Sequence, residues 1–366
     1  MWEQLAGGLI KLVILLAAVM LSVAYVTLLE RKVLAHMQIR LGPMRAGWHG
    51  LLQPLADGLK LMTKETIIPK QAEPVLYQAA PIVSFVFALL PFAVVPFARH
   101  WQITDLNIGL LYVLGMGSLG FFGMVMAGWA SGNKYALMGS LRAMAQMVSY
   151  EFPLILSLLG VLLFSHSLSM RQIVEVQAKT GYFILLQPMA FIIYLISGVA
   201  ETVRTPFDMP EAEGELVAGF HVEYSGMYFA LFFLAEYANM FIVSILATVL
   251  FLGGWQRPFP TYSEWAFLDV VPTFVWFAGK VFFFMFLYIW LRATLPRLRY
   301  DQLMDLSWKV LAPLGFFNVI ITAAYLIWEY PLWIFYILNF LIVALWLKLI
   351  TLKIFQPELA FNGLPN

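Results

Sequence analysis

Cysteine is absent from all 366 residues, so the chain supplies no thiolate to an iron–sulfur cluster, no thioether to a haem and no disulfide. Histidine is scarce. The five are His36, His49, His100, His166 and His221, all near predicted loops or helix ends, which is the wrong placement for paired axial ligands of a b-type cytochrome. Any electron carrier therefore belongs to other chains. Charged residues make up only 12% of the chain, with a net charge of +1, and no nucleic-acid partner is expected. There is no phosphate-binding glycine loop, no dinucleotide fingerprint, no zinc-binding pair and no nucleophile–base set. The chain is expected to carry no catalytic residue, no metal and no covalently bound cofactor of its own.

What fills the chain instead is apolar: 62% of residues are hydrophobic, far too many to hide inside one water-soluble globule. A crossing of the hydrocarbon core takes about 20 apolar residues. Nine stretches qualify, at 5–29, 77–97, 110–129, 150–166, 183–200, 227–252, 272–291, 311–328 and 332–352. The last two are separated only by Glu329, Tyr330 and Pro331, so the count is eight or nine. The N-terminal stretch is read as the first span rather than a secretion signal, because it lacks a basic leader and ends in Glu30-Arg31-Lys32. The fold class is all-α, a polytopic transmembrane helix bundle forming a single domain over 1–366.

Lys and Arg orient the bundle. Seven lie between Arg31 and Lys70, and Lys134, Arg142, Arg204, Arg292, Arg297, Arg299, Lys309, Lys348 and Lys353 fall on the same side. The opposite side has Lys11, Arg99, Arg171, Lys179 and Arg257. The positive-inside rule then puts the N-terminus outside and the long first loop, 31–75, in the cytoplasm, as expected for a multi-pass protein of the plasma (inner) membrane. Within that loop Leu51, Leu52, Leu55, Leu59 and Met62 recur at helical spacing opposite Gln53, Asp57, Lys60 and Lys64, between breakers Pro43 and Pro69. This predicts an amphipathic helix in the interface plane, or capping a cavity.

A second cytoplasmic loop, 201–226, is acidic. Glu201, Asp208, Glu211, Glu213, Glu215 and Glu223 fall within 23 positions, with Arg204 the one Lys or Arg among them. Glu211, Glu213 and Glu215 alternate, so in extended chain they point the same way, and like charges that close share protons rather than titrate singly. A solvated acidic surface, or a patch for a basic partner, is the plain alternative. Glu30, Glu151 and Glu201 sit at span ends, either facing the bundle interior or snorkelling to the interface. Glu236 and Lys280 lie deeper, where a buried pairing or a proton relay is expected. The bases Arg31, Lys32, Arg40, Arg45, Lys60 and Lys64 either meet lipid headgroups or rim a cavity. The run from Arg297 to Leu303 is a mixed-sign loop suited to partner docking or cavity lining.

Three blocks now carry a resemblance. The first is LERK at 29–32, QIRLGP at 38–43 and GLLQPLADGLKLMTKE at 50–65; the second is GWASGNKYALMGSLRAMAQMVSYE at 128–151; the third is AETVRTPFDMPEAEGELVAGFHVEYSGMYFALFFLAEY at 200–237, joined later by RLRYDQL from Arg297. In this order the chain resembles the family of H subunits of bacterial NADH-quinone oxidoreductase, respiratory complex I, whose mitochondrial counterpart is NADH-ubiquinone oxidoreductase chain 1. The resemblance implies a narrow chamber roofed by soluble subunits, which a quinone substrate reaches between helix one, the interfacial helix and helix six. It implies that Arg31, Arg40, Asp57 and Lys60 belong to the portal and chamber, with Glu211, Glu213, Glu215 and Glu223 lining it. Glu151, Glu201 and Glu236 resemble the start of a buried carboxylate proton path. Arg204, Asp208, Lys280, Arg297, Arg299 and Asp301 are candidates for partner contact or chamber lining. Iron–sulfur clusters and flavin are implied in soluble partner subunits, and antiporter-like and small membrane subunits are implied alongside in the bilayer.

Two departures from the family pattern stand out. Some relatives carry a further acid in helix three, where Gly117 and Ser118 stand here, and after Pro43 the loop reads Met44-Arg45-Ala46-Gly47-Trp48-His49 instead of the more usual Asn-Arg-Val-Gly-Pro. Two other readings stay open: the related membrane subunit of a membrane-bound hydrogenase, and a stand-alone ion or solute carrier. The basic portal and the interfacial helix count against the first. The acidic docking surface, and the lack of a visible inverted repeat, count against the second.

Overall fold

The computed structural model describes residues 2–99, 101–210, 216–258, 268, 270–328 and 331–354, and leaves the side chains of 2–9, 346, 347 and 349–354 undescribed. Thirteen helices are used below: α1 Trp2–Met37, α2 Gln53–Thr63, α3 Pro74–Leu89, α4 Gly109–Ala130, α5 Lys134–Ser165, α6 Met170–Thr180, α7 Phe183–Leu186, α8 Pro188–Glu201, α9 Gly226–Phe251, α10 Thr273–Thr294, α11 Tyr300–Asp305, α12 Ala312–Trp328 and α13 Leu332–Ile354. No strand occurs among the described residues, and seven helical runs are long and apolar enough to cross a membrane, with 188–201 and 332–345 as shorter apolar helices. The bundle is all-α and polytopic, as its apolar runs demand.

Several boundaries differ from the hydropathy reading, each for a local reason. Helix α1 does not stop at Leu29 but continues to Met37, so Arg31 and Lys32 ride on helix rather than in the first loop. Its 36 residues extend about 54 Å at ~1.5 Å per residue, well beyond a ~30 Å hydrocarbon core. Helix α5 begins sixteen positions before the predicted Tyr150, at Lys134, where the Asn133 side chain accepts a hydrogen bond from the Tyr135 N–H at 2.9 Å and caps it. Its first half is too polar to register as a span, but it is long enough to bring Glu151 inside the bundle.

The predicted span at 183–200 is broken. Pro188 lacks a donor and disfavours helical dihedrals in the residue before it, and Gln187 adopts φ −130° and ψ 59° there. The gap is filled by the buried Gln187 side chain, which donates to Thr322 Oγ1 at 2.8 Å and accepts from Asn318 Nδ2 at 3.2 Å. The stretch after Arg299, read as loop, is already helix from Tyr300. Between α11 and α12 a π-helical turn spans Leu306–Leu311, with the Ala312 N–H reaching Ser307 O, just ahead of Pro313, whose missing donor favours a local change of helical register. One element had no signal in the apolar runs at all: α6 is amphipathic, burying Met170, Ile173, Val174 and Gln177.

Helix packing follows small residues. Ser84 of α3 donates to Gly120 O of α4 at 3.3 Å, and Gly128 of α4 faces Ser140 of α5, which lets backbones approach where no hydrophobic force acts between apolar surfaces in lipid. The ends of α1, α4, α8 and α10 meet the starts of α3, α5, α9 and α11 at one end of the bundle, together with α2. The other end carries α6, α7 and the loops after α3 and α9. The predicted amphipathic helix is α2, and its apolar side, Leu55, Leu59 and Met62, is exposed while Gln53 and Asp57 turn inward, an orientation suited to the plane of an interface.

Candidate functional site: a charged cluster at one end of the bundle

The extension of α1 carries Glu30 into the interior, where it is 3% exposed. A buried carboxylate needs compensation, and three side chains from distant parts of the chain provide it. Arg204, in the turn after α8, donates from Nη1 to Glu30 Oε1 at 3.2 Å. Tyr237 of α9 donates its hydroxyl to Glu30 Oε2 at 2.6 Å. Arg292, in the last turn of α10, donates to Glu30 Oε1. The Arg204 guanidinium also lies over the Tyr237 ring, 4.2 Å from its centroid, a cation–π contact strengthened by the lack of water.

Arg204 is held in place from behind. Gln146 of α5 donates to Ala200 O and Phe207 O, both at 2.8 Å, and so bridges the start and finish of the turn that contains Arg204. Two guanidiniums on one carboxylate leave the cluster with an excess positive charge. It borders a cavity of about 130 Å³ lined by Arg204, Arg292, Asp208, Glu236, His221 and aromatic side chains of α9. The acids Glu236 and Asp208 face the excess charge across this space. Asp208 is tied to Arg297, Oδ2 to Nη2, at 3.0 Å. Burial holds the His221 imidazole well below its ordinary range, down to about 4, against the smaller opposing pull of Asp208. It is therefore neutral at physiological pH, edge-on to Phe220 and Phe229.

The other predicted residues take distinct places. Arg31 and Asp57 pair at 2.6 Å and join α1 to α2, with Gln53 also donating to Asp57 at 3.0 Å. Arg40 is exposed beside Gln38 at 2.8 Å, and Lys60 is exposed on α2. Glu223 accepts from Asn133 at 2.7 Å, and its carbonyl accepts from Tyr77 at the same distance. Glu151 accepts from the Ser118 hydroxyl, and Glu201 closes α8 beside Gly117. Arg299 and Asp301 form an exposed pair. Glu211, Glu213 and Glu215 lie outside the described residues.

Lys280 stands apart from all of these, at the opposite end of the bundle. Its ammonium donates to the carbonyls of Leu252, Gly254 and Gln256 at 2.6, 3.1 and 2.7 Å and to Tyr182 Oη at 3.2 Å. Gly253 and Gly254 reach φ +68° and +52°, which turns the end of α9 so that these carbonyls converge. The buried pairing expected for Lys280 is thus with backbone oxygen.

Tyr237, Arg292, Ser118 and His221 were not singled out from sequence. Tyr237 adjoins Glu236 in the third block, and Arg292 ends an apolar span on the same side as the other bases, so both carried a faint positional signal. Ser118 carried a signal only through the resemblance, which implied an acid in its neighbourhood. His221 had none. Among the described residues no group of three or more His, Asp or Glu gathers as a metal site.

The family model described as NADH dehydrogenase matches residues 10–323. The chain is 48% identical over 332 residues to the first of the H subunits of NADH-quinone oxidoreductase in Geobacter sulfurreducens, covering 85% of this chain and 92% of that one. It is 49% identical over 329 residues to the H subunit of NADH-quinone oxidoreductase of Syntrophotalea carbinolica, covering 87% and 96%. It is 50% identical over 341 residues to the second of the H subunits of NADH-quinone oxidoreductase in Koribacter versatilis, again covering 87% and 96%.

Proposed function

The chain belongs to the NADH dehydrogenase family, and from that membership we propose that it works as the membrane-embedded H subunit of a proton-translocating NADH-quinone oxidoreductase, complex I. Relatives that match most of the chain bear that name, and they favour neither a hydrogenase component nor a free-standing carrier. The chain is a membrane protein and acts with the other subunits of its complex. It contributes no redox group of its own; soluble partners hold the flavin and iron–sulfur clusters, and antiporter-like subunits adjoin it in the plasma membrane, with the charged end of the bundle cytoplasmic.

The observation that carries the mechanism is the Glu30 cluster. A lipid-borne quinone passing between α1, α2 and α9 meets a site where an excess of guanidinium charge faces Glu236 and Asp208. Quinone reduction consumes protons and changes local charge. In a low-dielectric site that change shifts the protonation of nearby acids. Glu236, next to the cavity, responds first, and Glu201 and Glu151 with Ser118 pass the change along the membrane arm. Glu211, Glu213, Glu215 and Glu223 serve as the chamber's proton reserve, and Arg31 with Asp57 holds α2 at the portal.

The test uses the assembled complex. Glu236→Gln, Glu213→Gln and Glu215→Gln lower NADH-driven quinone reduction and the proton pumping coupled to it. Reduction of a hydrophilic artificial acceptor by the soluble arm stays at its native rate. Unchanged quinone activity and pumping in all three variants would overturn this reading.

A further inference from the structure

We propose that the end of the bundle opposite the charged cluster binds one anionic phospholipid, its phosphate among Arg99, Lys179, Arg257 and the Trp276 indole, with one acyl chain in the groove bordered by α1, α9 and α10. Sequence puts five Lys and Arg on that side, Lys11, Arg99, Arg171, Lys179 and Arg257, to which the fold adds Lys280, already engaged by carbonyls. Three of the five line a single cavity of about 580 Å³ at the end of α6, with Thr273 and Trp276 from the first turn of α10. They come from three separate segments of the chain, so their convergence is a product of the fold. Among the described residues the acid lining this cavity is Glu175, which is engaged by Arg171 at 3.1 Å.

The neutral groups around the cavity also donate. Trp276 Nε1 is shielded from solvent and has no hydrogen-bond partner among the described residues, and Thr273 adds a hydroxyl beside the N-terminal end of the 22-residue helix α10. A buried indole N–H wants an acceptor. A rim of cations and donors fits an oxyanion with several acceptor oxygens, and a phosphate has that chemistry. Trp255 and Trp276 on the same rim are the amphipathic residues favoured at headgroup depth.

The source of the phosphate is decided by what lies next to the cavity. Around the bridge between Ala98 and Trp101, Arg99 lines the basic cavity and Phe97 and Trp101 line an apolar groove of about 460 Å³. Likewise α10 directs Trp276 to the first and Phe274 and Phe277 to the second. The groove follows α1 from Leu15 to Leu29, about 21 Å at ~1.5 Å per residue, against ~15 Å for half of the hydrocarbon core. That length accommodates one fatty acyl chain. Lys11, in a crevice shared with Leu15, Phe97 and Trp101, adds a cation at the groove's outer end. A soluble anion would use the basic cavity alone and leave the outer part of the groove, around Leu15, Phe97 and Trp101, unoccupied.

The experiment is lipid analysis and reconstitution of the purified complex. Native complex retains phosphatidylglycerol after detergent washing and, once stripped, regains thermal stability on addition of phosphatidylglycerol but not of phosphatidylcholine or inorganic phosphate. Arg99→Gln with Lys179→Gln weakens retention about five-fold per charge removed. Ala278→Phe fills the groove without touching a charge and lowers retention too. Trp276→Phe, which deletes one donor and keeps the ring, serves where the double variant fails to assemble. Native phosphatidylglycerol content in the variants that assemble overturns the proposal, and so does recovery with inorganic phosphate alone, which would mark a free-anion site. Loss of bound quinone in place of phospholipid from the Ala278→Phe complex overturns it as well, by giving the groove to the substrate's tail.

Discussion

Glu30 and Arg204, 174 positions apart in the chain, form an ion pair at 3.2 Å whose side chains are only 4% and 10% exposed. Such a pair gains little net stability over an apolar contact, but breaking it on one side is severe, at about 3–5 kcal/mol, because it strands a buried charge. Glu30→Gln leaves both Arg204 and Arg292 without their carboxylate. It is expected to lower the melting temperature of the complex and its quinone activity together, and Arg204→Lys, which keeps the charge but loses the planar stack on Tyr237, is expected to fall between. Melting curves and the quinone assay check both.

Ser118 stands beside Glu151 and donates to that carboxylate. Bonds to charged groups contribute about 1.5–3 kcal/mol. Ser118→Ala is expected to slow quinone-coupled pumping by on the order of ten-fold, an effect of that size, and Ser118→Thr to retain most of it. Pumping into proteoliposomes, followed with a pH-sensitive dye, is the measurement.

Gly139 faces the backbone of Gly219 and Phe220, where an added Cβ would meet atoms at 2.6, 2.9 and 3.0 Å. Backbone does not yield as a side-chain tip does. Gly139→Ala is expected to push the 219–221 segment off α5 and to destabilise the complex by about 1–3 kcal/mol, the range for overpacking. Gly58, whose added Cβ meets nothing within 4 Å, is the control: Gly58→Ala should leave the melting temperature unchanged or slightly raised.

His221 sets a pH dependence. Burial lowers its folded value to about 4 from 6.5, so the unfolded chain takes up a proton first as pH falls. Its contribution to stability is constant above about pH 6.5 and declines between there and about 4. His221→Gln is expected to flatten that part of the stability–pH curve, measured by thermal melts across the same window.

Lys280 donates to three carbonyls at the end of α9. Lys280→Met leaves those acceptors unmet in a dry setting at about 1–3 kcal/mol per lost partner. The expected result is a lower melting temperature and faster proteolysis near Gly253 and Gly254.

Much of this protein was settled by sequence alone. Nine apolar runs dictate helices because lipid offers backbone groups no other partner, and eight of them lie largely within one helix, the ninth being split by Pro188. The interfacial helix α2 was legible because its leucines recur on one face. Helix ends were less so: the polar first half of α5 and the π-turn before Pro313 depend on capping and register, to which hydropathy is blind.

The site divides in the same way. Glu30, Glu151, Glu201 and Glu236 could be picked out as candidates from their placement in or beside apolar spans, since isolated charges there are unfavourable. Which groups compensate them could not. Glu30 is met by Arg204, Tyr237 and Arg292, and Lys280 turns to carbonyls rather than to an acid. Partners so far apart along the chain are chosen by how the helices pack, and packing depends on side-chain shape across many contacts at once, a property no local stretch of residues contains.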